Sequence, residues 1–443
     1  MNKLRKLIDV SSSLYYQWQL RKDQWKDPRQ LKEIQFRKLK AILKHAYDYV
    51  PYYHRLFSVA ETKPDDIRNL EDMRKIPPIS KQNIQKNFPD MVARGVDTSR
   101  LSFGATSGST GIPLKVFRDY SLTRVGYRHS LNPYILFECG VRSNDNFVTV
   151  WGREAESIQW GKKYVRLWGS VSETVVPLFP PAKLISILRL IKPDVLNTFP
   201  SVLCTLADYD ASGIHPRTVL TQGEVVTQHC RDLVKEMFGV ELFETYGSLE
   251  FGNLAVECNE HCGLHMITNS ALIELADEAG EYVSSGEQGE IVVTGFLNHV
   301  MPLIRYRIGD LGIQTDEKCA CGRSWPLIES IQGRIDDYLV LPSGRKISWL
   351  YLIRAIGYWA AIFRENVFAI SQYQIIQDRK DRVILNLVKG REFNPEMLGR
   401  IRSSLKKEFD ELGENLEVVI QIVDDIPRGR TGKRRTLISK VTQ

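Results

Sequence analysis

Residues 106–111 read TSGSTG, a run of small and hydroxyl-bearing side chains that cannot pack a hydrophobic core. Gly108 and Gly111 permit backbone angles that direct successive amides into one concavity, and the hydroxyl groups between them add donors. Lys115, four residues further on, can neutralise a phosphate. The run differs from the GxxxxGK[ST] loop, because no lysine follows its second glycine in that register. It is therefore either a flexible surface loop or a loop that binds an anion.

Two further segments place polar side chains beside glycines. In ETYGSLEFG at 244–252, Tyr246 offers a flat ring for stacking on a planar base. Glu250 in the same segment offers a carboxylate that can ligate Mg²⁺. In MPLIRYRIGDLG, Asp310 follows Gly309 at a turn, where its carboxylate can accept two hydrogen bonds from a ribose diol. Considered singly, Tyr246 could instead be a core aromatic residue and Glu250 a surface acid.

Two basic segments follow in the last quarter of the chain. GRIDDYLVLPSGRK contains Arg334, Asp336 and Arg345. PRGRTGKRRT at 427–436 places Lys433 in a glycine-bearing loop. By itself, Lys433 could be one more charge in a solvated basic tail.

Cysteine and histidine side chains are concentrated in two short segments that resemble turns. ECNEHCGLH at 257–265 supplies Cys258, His261, Cys262 and His265, and CACGR supplies Cys319 and Cys321. Nitrogen and sulfur ligands of this kind favour tetrahedral Zn²⁺, in a structural role because no open coordination position is required. The alternative is a set of reduced free thiols. The residues alone do not decide which of the first four would bind the metal.

The elements that must position these residues alternate between strands and helices. Residues 28–57 look helical, with Pro51 ending the helix, and Ser80 is placed to cap a helix. FVTVWG, VVPLF, DVLNTF and TVLTQGE read as buried strands, separated in part by helical segments such as AKLISILRLI. This alternation predicts an α/β fold with much parallel sheet. From residue 271 onward, ALIELADEAG and GEIVVTGF indicate a β-rich subdomain.

A domain boundary is predicted near 333–345, where the sequence becomes turn-rich and charged. Beyond it, a strand–strand–helix–strand pattern with a helix at 394–412 predicts a small separate α/β lobe. We therefore predict an N-terminal domain over 1–335 and a C-terminal lobe over 336–443.

Composition and charge narrow the class of protein. Seven cysteines, an odd number in a long chain, do not indicate a disulfide framework, and no leader peptide is recognisable. We therefore expect a cytoplasmic protein. Residues 1–44 carry eight excess positive charges and residues 426–443 carry six, which leaves the body net acidic and argues against a nucleic-acid-binding surface. The basic N-terminus is interpreted as a solvated helix, or as a weak membrane-surface contact through its aromatic residues.

The motifs TSGSTGIPL, TYGSLE, IGD, GRIDD and TGK occur in the order that is found in the adenylate-forming ligase superfamily, and the resemblance covers about residues 30–440. That superfamily includes acyl-CoA synthetases, peptide-synthetase adenylation domains and luciferases. With YVPYYHRLF at 49–57, ECNEHCGLH and CACGR, the chain most resembles the phenylacetate–CoA ligase branch, including its members of the capsular-polysaccharide-biosynthesis type. The resemblance implies a large N-terminal AMP-binding domain of several subdomains and a small mobile C-terminal α/β lobe.

The activity implied by the resemblance has two steps. A carboxylate attacks the α-phosphate of ATP to give an acyl-adenylate and pyrophosphate, and an acceptor then displaces AMP. Glu250 would bind Mg²⁺, Lys433 would bridge the carboxylate and the α-phosphate, and Asp336 would be the hinge between the lobes. The nucleotide site that it implies comprises Thr106, Ser107, Gly108, Ser109, Thr110, Gly111, Lys115, Gly223, Glu224, Thr245, Tyr246, Gly247, Asp310, Arg334 and Arg345.

The resemblance also narrows the metal ligands, and it departs from the branch at one point. The pattern of Cys, GLH and CxCGR favours Cys258, His265, Cys319 and Cys321 as zinc ligands. The segment LVLPSGRKI after the hinge differs from the apolar version of phenylacetate–CoA ligases and is closer to the capsular-biosynthesis type. The resemblance makes CoA the first choice of acceptor, and this departure makes an amine or hydroxyl group the alternative. A non-catalytic nucleotide-binding relative is the further alternative. Neither the acid nor the oligomeric state is readable from the sequence.

Overall fold

The computed structural model describes residues 15–16, 18–105, 114–118, 139–142, 144–151, 158–166, 169–177, 179, 181–207, 209–334, 338–344, 346–348, 370–390, 392–411, 414–427, 434–435 and 437–441. The chain divides into two compact units. The first unit consists of Met1–Cys139 with Thr245–Ile331, and the second consists of Gly140–Glu244 with Gln332–Gln443. The two units are the parts of the chain that pack compactly. The predicted division into an N-terminal domain and a C-terminal lobe at 335/336 is a different one and stays a prediction.

Three helices of the first unit begin where the sequence provides caps or prolines. Helix α1 (Pro28–Tyr49) starts after Asp27, whose side chain accepts a hydrogen bond from the Arg29 amide. Pro51 follows the end of α1, as predicted, and a second helix, α2 (Pro51–Val59), begins at this proline. Helix α3 (Lys81–Lys86) is capped by Ser80, also as predicted.

The first unit is rich in strands. A hairpin pairs β1 (Ser102–Ala105) with β2 (Lys115–Arg118). Seven further strands lie side by side in the order β11–β12–β13–β14–β10–β9–β8. Their bounds are β8 (Leu242–Ser248), β9 (Gly252–Glu257), β10 (Leu264–Met266), β11 (Ala271–Ala276), β12 (Gln288–Gly295), β13 (Tyr306–Thr315) and β14 (Leu327–Arg334). The core of the unit includes Leu39, Phe57, Ile84, Ile273 and Val293. The predicted β-rich subdomain beyond residue 271 is therefore confirmed.

A buried ion pair joins the turn at 76–80 to these strands. The Arg305 side chain is 1% exposed, and its Nε atom lies 3.1 Å from Oε1 of Glu274. The guanidinium group also donates to the carbonyl groups of Ile76 and Gly280. Because a buried charge is costly unless it is paired and hydrogen-bonded, these contacts make the turn and β11 a single structural element.

The second unit contains a mainly parallel sheet covered by helices. Its strands are β3 (Asn146–Trp151), β4 (Gln159–Arg166), β5 (Gly169–Pro177), β6 (Val195–Thr198) and β7 (Thr218–Gln222), in the order β7–β6–β3–β5–β4. Strand β3 pairs in parallel with β5 and β6, β6 pairs in parallel with β7, and only β4 is antiparallel. The helices are α4 (Pro181–Ile191), α5 (Pro200–Leu206) and α6 (Gln228–Phe238). Every residue of β6 is buried, as expected for a parallel strand between helices.

The C-terminal part of the second unit has a smaller sheet, in the order β19–β18–β17–β20. It comprises β17 (Ile370–Arg379), β18 (Arg382–Lys389), β19 (Glu417–Val423) and β20 (Leu437–Ser439), with α7 (Glu396–Glu411) packed on it and a short hairpin of β15 (Tyr338–Val340) and β16 (Lys346–Ser348). The predicted strand–strand–helix–strand order and the α/β fold class are confirmed. Among the described helices, none is long and apolar enough to cross a lipid bilayer.

Candidate functional site

Four of the predicted metal ligands come together in the first unit. The donor atoms of Cys258, His265, Cys319 and Cys321 all lie within 4.8 Å of one another. The Sγ atoms of Cys258 and Cys319 are 3.5 Å apart, and Sγ of Cys321 is 3.3 Å from Nε2 of His265. Zn–S and Zn–N bonds of about 2.3 and 2.0 Å in a tetrahedron require separations of about 3.6 Å between ligand atoms. The donor set and its spacing therefore fit a tetrahedral zinc ion.

Strand pairing brings these four residues together from distant parts of the sequence. Cys258 directly follows β9, and His265 lies in β10, which pairs in antiparallel fashion with β9 and β14. Cys319 and Cys321 lie in the loop that leads into β14. The turn before β10 requires Gly263, whose φ is +123° and whose hypothetical Cβ atom would stand 2.6 Å from the Ile328 carbonyl oxygen.

Backbone groups around the cluster orient its ligands. His265 Nδ1 is 3.3 Å from the Trp325 carbonyl oxygen, which directs Nε2 toward the thiols. Burial lowers the pKa of His265 to about 4, so that the imidazole is neutral at physiological pH and free to ligate. The Arg323 amide donates to Sγ of Cys321 at 3.5 Å.

The two remaining candidates in ECNEHCGLH have other surroundings. Cys262 is exposed, and its Sγ atom lies 3.2 Å from the Glu260 carbonyl oxygen. His261 Nδ1 lies 3.2 Å from Oε1 of Glu257. The geometry thus selects Cys258 and His265 from the four residues that the sequence left open.

The N-terminal segment contacts the loop that carries Cys319 and Cys321 through hydrogen bonds and a cation–π interaction. Gln24 accepts a hydrogen bond from Nε of Arg323 at 2.9 Å through its side chain and from the Ser324 amide at 2.8 Å through its carbonyl group. The Arg323 guanidinium also lies 4.8 Å from the centre of the Trp25 ring. Part of the basic N-terminus therefore supports the Cys/His cluster, which the sequence did not indicate.

Tyr246 and Asp310, separated by 64 positions in the sequence, form one polar pair. The Tyr246 hydroxyl donates to Oδ2 of Asp310 at 2.9 Å. Asp310 is presented by a bulge, because three residues of β13 (Ile308, Gly309 and Asp310) oppose the single residue Ile291 of β12. Gly309 has φ of +81°, which a glycine adopts without strain. The bulge turns the Asp310 carboxylate toward an aromatic ring.

Glu250 lies at the tip of the hairpin between β8 and β9. The residue is only 6% exposed and lines a pocket together with Ser270, Asn298 and Met301. Asn298 is held by hydrogen bonds from its side-chain amide to the Phe117 and Met301 carbonyl groups. A carboxylate this deeply buried is stabilised when a cation binds it, which is compatible with the predicted Mg²⁺ role.

A second polar constellation lies in the second unit around Glu224. Its Oε2 atom accepts from the Ser201 amide at 2.9 Å, and its Oε1 atom accepts from the Ser201 hydroxyl and the Arg434 amide, each at 3.0 Å. Ser201 is the second residue of α5. Neither Ser201 nor Arg434 was among the predicted site residues. The signal for this contact in the sequence would have been an acid just after one strand together with a serine at the start of a helix.

The other predicted residues are distributed as follows. Thr245 is buried in β8, Gly223 follows β7 with φ of +83°, and Gly247 packs against β9. Lys115 opens β2 opposite Ala105, and Arg334 ends β14. The residues that lie outside the described part of the chain are Thr106, Ser107, Gly108, Ser109, Thr110, Gly111, Asp336, Arg345 and Lys433.

Sequence comparisons show that the chain is similar to phenylacetate-coenzyme A ligases and to protein CapK. A phenylacetate-coenzyme A ligase of Thermus thermophilus is 28% identical, over 93% of this chain and 97% of the relative. Protein CapK of Staphylococcus aureus is 23% identical over 84% of this chain and 81% of that protein. The family profile of the CapK C-terminal domain matches residues 339–440.

Solved structures share the fold. A 2-hydroxyisobutyryl-CoA ligase in the postadenylation state, in complex with R3-HIB-AMP, superposes with a TM-score of 0.76 at 18% identity, over 94% of this chain and 91% of that one. The chain is thus similar to phenylacetate-coenzyme A ligases and to protein CapK, and it shares the fold of a solved coenzyme A ligase.

Proposed function

We propose that this chain is an ATP-dependent acid ligase that forms an acyl-adenylate and pyrophosphate and then transfers the acyl group to coenzyme A. The observation that carries the proposal is the similarity to a phenylacetate-coenzyme A ligase over 93% of this chain and 97% of that protein. The reaction would take place in the cytoplasm, where ATP and coenzyme A are supplied.

In this proposal, Tyr246 and Asp310 bind the adenosine part of ATP. The Tyr246 ring stacks on adenine. The Asp310 carboxylate accepts hydrogen bonds from the ribose hydroxyls, with help from Arg334. The Tyr246 hydroxyl, at 2.9 Å, orients this carboxylate. Residues 106–111 and Lys115 hold the β- and γ-phosphates. The site is completed by Gly223, Glu224, Thr245, Gly247 and Arg345.

The first chemical step is an in-line displacement at the α-phosphate, which needs positioning and charge neutralisation more than covalent catalysis. Glu250 would hold a Mg²⁺ ion beside the phosphates, where that ion neutralises negative charge. Lys433 would bridge the attacking carboxylate and the α-phosphate. A rotation of the C-terminal lobe about Asp336 would then withdraw Lys433 for the second step.

We assign the cluster of Cys258, His265, Cys319 and Cys321 to a structural zinc ion. Three thiol groups and one imidazole whose donor atoms lie within 4.8 Å of one another support this assignment. The ion would hold the loop before β14 against β9 and β10. It would take no part in the chemistry, because all four tetrahedral positions are filled by side chains.

The acceptor is proposed from the relatives. One of them is a phenylacetate-coenzyme A ligase and another is protein CapK, and the family profile of the CapK C-terminal domain matches residues 339–440. Coenzyme A is our first choice, and an amine or hydroxyl group is the alternative.

A weak contact of the N-terminal segment with a membrane surface is proposed through Tyr15 and Trp18, whose side chains are 60% and 47% exposed. Sedimentation of the protein with anionic vesicles tests this contact.

Carboxylate-dependent ATP–pyrophosphate exchange tests the proposed activity. Phenylacetate, other aryl acids, short-chain acids and amino acids form the panel, and coenzyme A and amines are then offered as acceptors. Exchange with at least one acid is expected, and no exchange across the whole panel would contradict the proposal.

The Tyr246–Asp310 pair provides a sharper form of the same test. Asp310→Asn should lower kcat/KM for ATP about 10–100-fold, since hydrogen bonds to a charged group contribute about 1.5–3 kcal/mol. Tyr246→Phe is the matched control, because it keeps the ring and removes only the hydroxyl, and a loss of no more than about tenfold is expected. An Asp310→Asn enzyme with unchanged KM and kcat for ATP would refute the ribose assignment.

A further inference from the structure

The bulge in β13 that presents Asp310 is held by a side chain of the neighbouring strand. Glu290 of β12 stands beside the bulge, because its register partner is Leu311, directly after Asp310. Its carboxylate accepts a hydrogen bond from the Gly309 amide, within the bulge itself. Glu290 therefore restrains the backbone one residue before Asp310.

Glu290 is anchored on its other side by an arginine. Arg307, the last residue of β13 that pairs with β12 before the bulge, forms an ion pair with the Glu290 carboxylate. Its guanidinium group also donates to the carbonyl oxygens of Asp277 and Glu278, at 3.0 and 2.9 Å. Burial raises the pKa of Glu290 above its usual value, although Arg307 and the Gly309 amide act in the opposite direction. Since a buried carboxylate is costly unless it is paired and hydrogen-bonded, these contacts fix the position of Glu290.

The glycine in the bulge makes this restraint important. Gly309 has φ of +81°, and a glycine has more conformational freedom at such a position than any other residue. The Tyr246 hydroxyl, at 2.9 Å, restrains the carboxylate of Asp310. The hydrogen bond from the Gly309 amide to Glu290 restrains the backbone that carries this carboxylate. Asp310 is thus held both at its side chain and through its main chain.

We propose that Glu290 is a positioning residue for nucleotide binding, because it fixes the bulge in the shape that directs Asp310 toward the ribose of ATP. The inference rests on the proposed function, in which Asp310 accepts hydrogen bonds from the ribose hydroxyls. Glu290 itself does not contact the nucleotide in this proposal and acts through Asp310. The effect of Glu290 should therefore depend on whether the ligand carries those hydroxyl groups.

Binding of ATP and of 2′,3′-dideoxy-ATP to the full-length protein tests this role. The second ligand lacks both ribose hydroxyl groups, so a displaced Asp310 has no contact with it to lose. Titration calorimetry in the presence of Mg²⁺ measures both dissociation constants and requires no acid substrate. Glu290→Ala should raise the dissociation constant for ATP about tenfold and that for dideoxy-ATP by no more than about twofold.

Two further variants keep the test decisive if Glu290→Ala does not fold. Glu290→Gln removes the charge at nearly the same size, so a smaller loss of ATP binding with the same dependence on the hydroxyl groups is expected. The combination of Glu290→Gln with Asp310→Asn should bind ATP as weakly as Asp310→Asn alone, to within about twofold, because both substitutions act on the same contact.

Glu274→Gln is the matched control for a general loss of stability. Glu274 lies in β11, is buried to a similar extent and is paired with Arg305 rather than with the bulge. Its substitution should leave the ratio of the two dissociation constants unchanged, whatever its effect on stability.

The outcomes separate the role of Glu290 from the proposed activity. Equal weakening of both ligands in the Glu290 variants, or unchanged binding of ATP, would overturn the positioning role alone. Equal affinities of the unsubstituted protein for ATP and dideoxy-ATP would overturn the ribose assignment of Asp310 and, with it, the role of Glu290. A protein that binds ATP more tightly than dideoxy-ATP but shows no pyrophosphate exchange would overturn the ligase activity, whereas the binding data would still decide the role of Glu290.

Discussion

Side chains of the proposed nucleotide and zinc sites have hydrogen-bond partners far away in the sequence. Asp310 is oriented by the Tyr246 hydroxyl, and His265 is oriented by the Trp325 carbonyl group, 60 positions distant. The hydrogen bond restricts the rotamer of Asp310 and, for His265, also the tautomer of the imidazole ring. The orientation of each side chain therefore depends on a partner that the tertiary fold supplies.

At this scale we predict that Cys321→Ser abolishes zinc binding. The substitution removes one of the four donors, and because metal-binding free energy contributes to folding, the free energy of unfolding should fall by on the order of 3 kcal/mol. Elemental analysis of protein purified without chelator should give about one zinc per chain before the substitution and close to none after it.

Cys262→Ser is the control for this prediction. The Cys262 thiol is exposed and lies outside the cluster, so zinc content and stability should both be unchanged. If the unsubstituted protein contains no zinc, or if Cys321→Ser retains it, the assignment of the cluster is wrong.

Among the described elements, the hairpin of β8 and β9 carries two side chains of the proposed nucleotide site. It carries Tyr246 in its first strand and Glu250 at its tip. A bulge in the pairing lies between Tyr246 and Gly247, and the strands approach each other so closely there that a Cβ atom on Gly247 would be 2.3 Å from the Gly252 carbonyl oxygen. The absence of a side chain at this position allows the hairpin to close.

We therefore predict that Gly247→Ala destabilises the protein. The added methyl group forces the two strands apart, which should cost about 1–3 kcal/mol and displace both Tyr246 and Glu250. Urea unfolding measures the loss of stability, and the same variant should show reduced ATP–pyrophosphate exchange.

Gly399→Ala provides the opposite case. Gly399 lies in α7 with nothing within 4 Å of the position that a Cβ atom would take, so alanine should stabilise the helix by about 0.5–1 kcal/mol. Equal effects of the two substitutions would show that close strand packing is not the reason for the glycine at 247.

On the scale of the whole molecule, stability depends on histidines that fold in the neutral form. Burial lowers the pKa of His229, in α6, to about 4, although a hydrogen bond to the Ile370 backbone and the charge of Asp232 act in the opposite direction. In an unfolded chain the pKa is about 6.5. The unfolded state therefore binds more protons between these two values, so the protein loses stability as the pH falls from 6.5 toward 4.

We predict that His229→Gln reduces this loss. The pKa of His229 differs by two to three units between the folded and the unfolded state, which corresponds to on the order of 3 kcal/mol in the free energy of unfolding. The unsubstituted protein should lose this stability between pH 7 and pH 4.5, and the variant should retain it. Thermal unfolding midpoints across pH 4.5–7 measure it. His215→Gln, at an exposed histidine in the same unit, should leave the pH dependence unchanged. An identical pH profile for His229→Gln and the unsubstituted protein would contradict the prediction.

Much of the fold could be read from local patterns. The apolar runs that became β3, β6 and β7, the proline between α1 and α2, and the Ser80 cap are short-range signals, and these local rules did not conflict with tertiary packing. The order of the motifs likewise indicated the family, because the chemistry of each motif is local.

The sequence by itself determined the α/β class, the order of the elements and the candidate residues, since each of these depends on neighbours within a few positions. Only the tertiary structure decided which residues meet. Of the four candidates in ECNEHCGLH, Cys258 and His265 are the two that lie with Cys319 and Cys321. The tertiary fold also placed the Tyr246 hydroxyl beside Asp310 and brought the Arg434 amide to Glu224. Contacts across 56 to 210 positions arise from chain topology, and periodicity within a short window carries no information about them.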